Sequence, residues 1–182
     1  GRADRGSLDC GKKTRQLCNE GCFIMTPVGH MTLVFIAVDV LEGAISLKTK
    51  IDLLRTQSEG LAISNVYKRS QQSPLSSRFF SELVVVVKAE TYLSVEKLSL
   101  WVKEKMGNSA AILSFDSDVF LLPDLNLPHP LLHTDPLTLR CACEVWGSYE
   151  HPVLGQTLNE LVQLELQTKN YEFFSQGNSL LN

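Results

Sequence analysis

Asp116 and Asp118 stand two residues apart in the stretch Ile-Leu-Ser-Phe-Asp-Ser-Asp-Val-Phe-Leu-Leu, from Ile112 to Leu122. Read as one extended strand, side-chain alternation puts both carboxylates on the same face, roughly 6 to 7 Å apart along the backbone. Acidic residues are depleted in strands and repel one another when adjacent, so a pair flanked by Leu113, Phe115, Val119 and Leu121 needs a compensating partner. A hard cation is the natural one, because Mg²⁺ takes one or two protein carboxylates and fills its other positions with water and substrate phosphates. A solvated acidic edge would show the same pair, so the surrounding elements have to carry the argument.

The chain has 182 residues, 44% of them hydrophobic and 20% charged, enough to bury the core of one globular domain. A formal net charge of -3 gives no basic footprint, which argues against nucleic acid or an anionic membrane as partners. The longest apolar runs, Leu33 to Val38 and Leu83 to Val87, have the length of core strands and fall far short of a membrane span. The five cysteines, with no signal peptide in the sequence, fit a reducing cytoplasm better than a disulfide framework. Cys10, Cys18, Cys22 and His30 would make a zinc site only without the usual short paired spacing, and Cys141 and Cys143 read as small buried hydrophobes.

Residues 1–30 are rich in Gly, Lys, Arg, Asn and Cys and lack apolar periodicity, so they read as a disordered extension, with Met31 as a natural start. From there the elements alternate. Leu33 to Val38 is a strand. Gly43 to Gln57 is a helix with Ala44, Leu47, Ile51 and Leu54 on one face, and Leu61 to Tyr67 is a second strand. Phe79 to Val87 follows the polar stretch 69–77 as a central strand. Ser94 caps a helix through Met106, with Val95, Leu98, Trp101 and Val102 inward and Gly107 as its stop. The aspartate strand comes next. This order is the split βαβ, ferredoxin-like α+β pattern, an antiparallel sheet with both helices on one face. Residues 126–166 are left to cover the other face, where Thr157 and Glu160 form a capping box for a closing helix. The compact domain is read as 31–166 and the polar tail as 167–182.

Several stretches together resemble the 6-hydroxymethyl-7,8-dihydropterin pyrophosphokinase family. They are Ser64-Asn65-Val66-Tyr67, Glu90 to Leu98, Phe115-Asp116-Ser117-Asp118-Val119 and Leu127-Pro128-His129-Pro130, with Glu144 and Pro152 to Gly155 matching more weakly. The resemblance implies a cytoplasmic enzyme of folate biosynthesis that transfers pyrophosphate from ATP to the pterin hydroxymethyl group. On that reading Asp116 and Asp118 hold two Mg²⁺ ions, and His129 contacts ATP phosphate as the catalytic and nucleotide-binding histidine. Tyr67 and Leu137 fall where the family contacts the pterin.

The departures from the family pattern fall mostly on the substrate side. The small residues that end the family's first strand are replaced by Asp39-Val40-Leu41, and its Tyr-x-Thr-x-Pro segment by Tyr67-Lys68-Arg69-Ser70-Gln71. Its pterin-reading asparagine has no clear counterpart near Ser81 or Glu82, and two family arginines are replaced by Leu113 and Asp135. Independently of the family, no Lys or Arg occurs between Lys105 and Arg140. A triphosphate needs cationic donors besides Mg²⁺, and loss of one such donor typically costs on the order of 10² to 10³ in rate. Lys68, Arg69, Arg78, Lys103 and Lys105 are within reach as substitutes, and Lys105 is taken as the nucleotide-binding candidate. Two readings stand: a weak pyrophosphokinase using ATP and a pterin, or an inactive homologue acting as a binding or regulatory subunit for a protein partner.

Overall fold

The computed structural model describes residues 13–17, 23–72, 79–164 and 170–182. Within the segment read as a disordered extension, β1 (Lys13–Leu17) and β2 (Phe23–Pro27) are antiparallel strands paired with each other. The β-prone run Phe23-Ile24-Met25-Thr26 accounts for a ladder that overall composition hid. Cys10, Cys18, Cys22 and Arg78 lie outside the described residues.

The main sheet opens with β3 (His30–Asp39), buried on both faces. Val34, Ile36 and Val38 point into one apolar layer, and Leu33, Phe35 and Ala37 into another. α1 (Gly43–Arg55) covers the first layer with Leu47, Ile51 and Leu54. The strand expected over Leu61 to Tyr67 is divided into β4 (Ser58–Ile63) and β5 (Val66–Gln72), both paired with the long strand β6 (Phe79–Thr91). At the break, Ser64 keeps the ladder satisfied: its N–H donates to the Val86 carbonyl at 3.0 Å and its Oγ accepts from the Val86 N–H at 3.0 Å. The turn expected from Arg69 is strand as far as Gln72.

α2 (Val95–Met106) has the expected limits. Ser94 Oγ accepts from the Lys97 N–H at 3.3 Å, and Gly107, at φ 56°, ends the helix in a conformation that costs other residues more. α1 and α2 lie on one face, sharing a core with Val85 and Val87 of β6. β7 (Ala110–Phe115) pairs with β3 at the sheet edge. β8 (Phe120–Leu122) and β9 (Leu125–Leu127) form a small separate hairpin.

The other face is covered by α3 (Leu131–Thr134), α4 (Pro136–Trp146) and α5 (Leu158–Leu164), whose Leu132, Leu137, Leu139, Leu158 and Leu161 pack beneath Leu33, Phe35, Val84 and Val86. Thr157 and Glu160 form the expected reciprocal cap: the Thr157 N–H donates to Glu160 Oε2 at 2.8 Å, and the Glu160 N–H to Thr157 Oγ1 at 3.2 Å.

The polar tail forms regular structure from Tyr171 onward. β10 (Tyr171–Ser175) adds to the sheet beside β5, and its Tyr171 ring lies 5.4 Å from Tyr67. The 3₁₀ turn Gly177–Leu180 then buries Leu180 in the α1 layer. A side chain at Gly177 would strike the Ser64 carbonyl, so this docking depends on the missing Cβ. The described main sheet, in the order β10-β5-β6-β3-β7 with β4 also on β6, is antiparallel throughout, an α+β ferredoxin-like arrangement. Among the described residues no helix is long and apolar enough to cross a membrane.

Candidate functional site

The aspartate pair is not presented by a continuous strand. β7 ends at Phe115, and Asp116 begins a turn at φ 49°, a left-handed conformation that Asp tolerates better than most residues. Strand alternation therefore does not apply to this pair, and the turn and its anchors fix Asp116 instead. The Asp116 N–H donates to the Met31 carbonyl at 2.7 Å, and the Tyr149 hydroxyl donates to the Asp116 carbonyl at 3.0 Å. The Asp116 carboxylate accepts from the Met31 N–H at 2.9 Å and from His30 Nδ1 at 2.8 Å. Burial, and then the charges of Asp116 and Asp118, push the Tyr149 phenol up to about 12. Among the described residues no group of three or more His, Cys, Asp and Glu converges as a metal site. The pair alone fits Mg²⁺, which draws on one or two carboxylates when substrate phosphates complete its shell.

His129 follows the cis Leu127–Pro128 bond and is tied to the middle of β7, its N–H donating to the Leu113 carbonyl at 2.8 Å. Its Nδ1 accepts from the Leu131 N–H at 3.1 Å, which assigns the neutral ring's proton to Nε2. Burial, and then the nearby His133, hold its pKa below the ordinary histidine value. The neutral imidazole is thus a fixed hydrogen-bond donor. It lines a cleft of about 320 Å³ with Ser99, Lys103, Asn108, Ile112 and Asn126. The part of β7 that lines the cleft is Ala110 to Ile112, and the aspartates follow at the other end of that strand, roughly 13 Å of backbone beyond Ile112.

Lys103, not Lys105, lines this cleft. Two residues apart on a helix, the two side chains point about 200° apart, and Lys103 shares its face with Ser99 one turn earlier. Both lysines were legible as the last turn of α2; the face toward β9 was not.

On the pterin side of the resemblance the structure places buried groups. Leu137 is 2% exposed, a core residue of α4, and presents no stacking surface. Tyr67 is buried as well: its hydroxyl donates to Glu144 Oε2 at 2.6 Å and accepts from Arg140 Nε at 3.0 Å. Burial and the Glu144 bond raise its pKa. The sequence did not foretell the triad next to it. Arg69 Nε donates to Glu82 Oε1 at 2.5 Å and Arg69 Nη1 to Asp135 Oδ2 at 2.7 Å, with the Arg69 and Glu82 side chains at 1% and 2% exposure. Burial lowers the Arg69 pKa, but the charges of Asp135 and Glu82 outweigh it and raise the guanidinium overall; burial raises Glu82. Asp135 also caps α4, accepting from the Thr138 N–H and hydroxyl. Register explains the meeting: Arg69 lies opposite Glu82 in the β5–β6 ladder, and Asp135 sits at the start of the helix above them. Cys141 is fully buried, and burial raises its thiol pKa, as suits a packing residue.

The fold has solved counterparts. A Plasmodium falciparum HPPK-DHPS triple mutant with SDX-DHP superposes on 80% of this chain with a TM-score of 0.64 at 10% identity. An HPPK-DHPS in complex with substrates covers 80% with a TM-score of 0.63 at 8% identity. The wild-type Plasmodium falciparum HPPK-DHPS with pterin and p-hydroxybenzoate covers 76% with a TM-score of 0.57 at 13% identity. The chain spans 45%, 47% and 42% of those chains, less than half of each. A scan against protein-family models and a search of curated proteins give no match. At these identities the likeness establishes architecture, and the chain has an HPPK-like α+β fold.

Proposed function

We propose that this chain is a pyrophosphokinase-like protein that binds ATP with Mg²⁺ and transfers pyrophosphate, weakly, to 6-hydroxymethyl-7,8-dihydropterin in the cytoplasm. The observation that carries the reading is the cleft that the neutral His129 and Lys103 line beside the first half of β7, with Asp116 and Asp118 following the far end of the same strand. Mg²⁺ on the two aspartates would neutralise the triphosphate and favour in-line attack by a hydroxyl. His129 Nε2–H and the Lys103 ammonium are the chain's own donors to phosphate oxygen. The HPPK-like fold is consistent with this, and the wild-type Plasmodium falciparum HPPK-DHPS structure of that fold holds pterin.

The buried triad favours a second reading. Arg69, Glu82, Asp135 and Leu137 fall where the sequence departs from the family pattern, and here their side chains are buried and turned to one another or to the core. A chain that keeps the nucleotide cleft and fills the pterin side would act as an ATP-binding regulatory subunit. Calorimetric titration of a non-hydrolysable ATP analogue, with and without Mg²⁺, on the wild type and on the double variant Asp116→Ala, Asp118→Ala tests the first step. Binding that needs both Mg²⁺ and the aspartates supports the proposal, and assay of pyrophosphate transfer to the pterin then decides between enzyme and subunit. No binding at millimolar nucleotide would sink both readings of the cleft.

A further inference from the structure

We infer that His30 is a positioning residue for the Asp116 carboxylate, holding it oriented for metal before any metal arrives. The inference rests on the nucleotide and Mg²⁺ reading above and extends it to a residue that the family resemblance, which starts at Met31, does not touch.

Asp116 sits in a turn, where a carboxylate ordinarily samples several rotamers and solvent geometries. Here both oxygens are held from the same strand. Oδ1 accepts from the Met31 N–H at 2.9 Å and Oδ2 from His30 Nδ1 at 2.8 Å, while the Asp116 N–H returns a bond to the Met31 carbonyl at 2.7 Å. A carboxylate only accepts, so the Nδ1 proton lies toward Asp116. His30 is itself fixed: it lies in the β3–β6 ladder opposite Thr91, its side chain is 10% exposed, and its ring stacks at 4.8 Å and 31° on Phe115, the residue before the aspartate. The Asp116 side chain remains 30% exposed.

Hydrogen bonds to a carboxylate do not oppose ligation, because ligating carboxylates are ordinarily hydrogen-bonded in turn, and loss of such a partner typically weakens metal binding about 10- to 100-fold. Rigid support of this kind removes the ordering cost from the binding step. Ring packing alone would instead make His30 a staple between β3 and the turn, and two substitutions separate the roles. His30→Phe keeps an aromatic ring against Phe115 and loses the donor. His30→Asn loses the ring and keeps an amide N–H close to the place of Nδ1.

The test uses Mn²⁺ in place of Mg²⁺, with α,β-methylene-ATP present, reading free Mn²⁺ by electron paramagnetic resonance; melting curves without metal report the fold. We expect His30→Phe to weaken Mn²⁺ binding about 10- to 100-fold at a near wild-type melting temperature. His30→Asn should recover most of the affinity despite melting lower. Unchanged affinity in His30→Phe, tighter binding in either variant, or an Asn variant as weak as Phe would overturn the positioning role while leaving the proposed function standing. Absence of Mn²⁺ binding by the wild type would overturn both.

Discussion

The Arg69–Glu82–Asp135 triad and the His129 cleft both gather polar groups against the sheet, yet they face in opposite senses. In the triad a guanidinium and two carboxylates point at one another: Arg69 Nε and Nη1 are bonded to the carboxylates, while Nη2 is buried without a hydrogen-bond partner among the described residues. At the cleft, backbone groups consume the inward side of His129, its carboxyl-side neighbours fix the ring, and the remaining donor belongs to a space lined by Lys103 and two asparagines. Charge content therefore does not identify a ligand site. What identifies one is whether the donors and lone pairs left over once internal partners are counted face open space, as they do not at the buried Arg69 Nη2.

The comparison breaks most readily at the triad. Arg69→Ala leaves two carboxylates buried without their cation and is expected to cost about 3 to 5 kcal/mol, read as a drop in the urea midpoint at constant slope. The pair Arg69→Met with Glu82→Leu should recover part of that loss, because it removes the fully buried cation and carboxylate together and leaves only Asp135, which is 13% exposed and still bonded to Thr138. If Arg69→Ala melts like the wild type, the triad is not the internal support described.

At the cleft the expected effect is on ligand rather than on fold. Lys103→Ala or His129→Ala should weaken the ATP analogue roughly 10- to 100-fold, the worth of one hydrogen bond to a charged group at about 1.5 to 3 kcal/mol, with little change in melting. Lys105→Ala should do much less, and an equal effect from both lysines would deny the cleft its orientation. A smaller effect tests whether the cleft depends on the stability of its helix. Ser94→Ala removes the α2 cap and should cost about 1 kcal/mol of stability while nucleotide affinity holds.

The smallest expected effect is a pH dependence. His151 is buried, its Nδ1 accepts from the N–H groups of Val153 and Leu154, and burial followed by the nearby His133 holds its pKa below the ordinary 6.5. For a base with a depressed folded value, the unfolded chain binds the proton more readily. The stability that His151 contributes is thus present above about pH 6.5 and lost as pH falls through the folded value. The melting temperature should decline from pH 7.5 toward pH 5, and more shallowly in His151→Asn, whose side-chain oxygen still accepts from the loop. His129, lowered for the same cause, contributes with the same sign, so its variant should flatten the same slope.

Much of the scaffold was legible because it is written in local chemistry. Ser94 and Gly107 bound α2 as expected, Thr157 and Glu160 cap α5, and the spacing of Leu47, Ile51 and Leu54 gives the buried face of α1. The errors came where a residue's role depends on a distant partner. The aspartate stretch has the composition of one strand, but Asp116 exchanges bonds with Met31 and turns. The tail beyond residue 167 is polar on paper, yet β5 offers Tyr171 a ladder and Ser64 offers Gly177 a close fit.

The sequence by itself determined the alternation of the main strands and helices from β3 to β7, the two-faced alternation of β3 and the ends of α2, since periodicity and caps act over a few residues. Only the tertiary structure decided that His30 meets Asp116, that Lys103 rather than Lys105 lines the cleft of His129, and that Arg69, Glu82 and Asp135 close on one another. Those meetings join residues from different elements, and only sheet register and helix packing set which side chains come within hydrogen-bond reach.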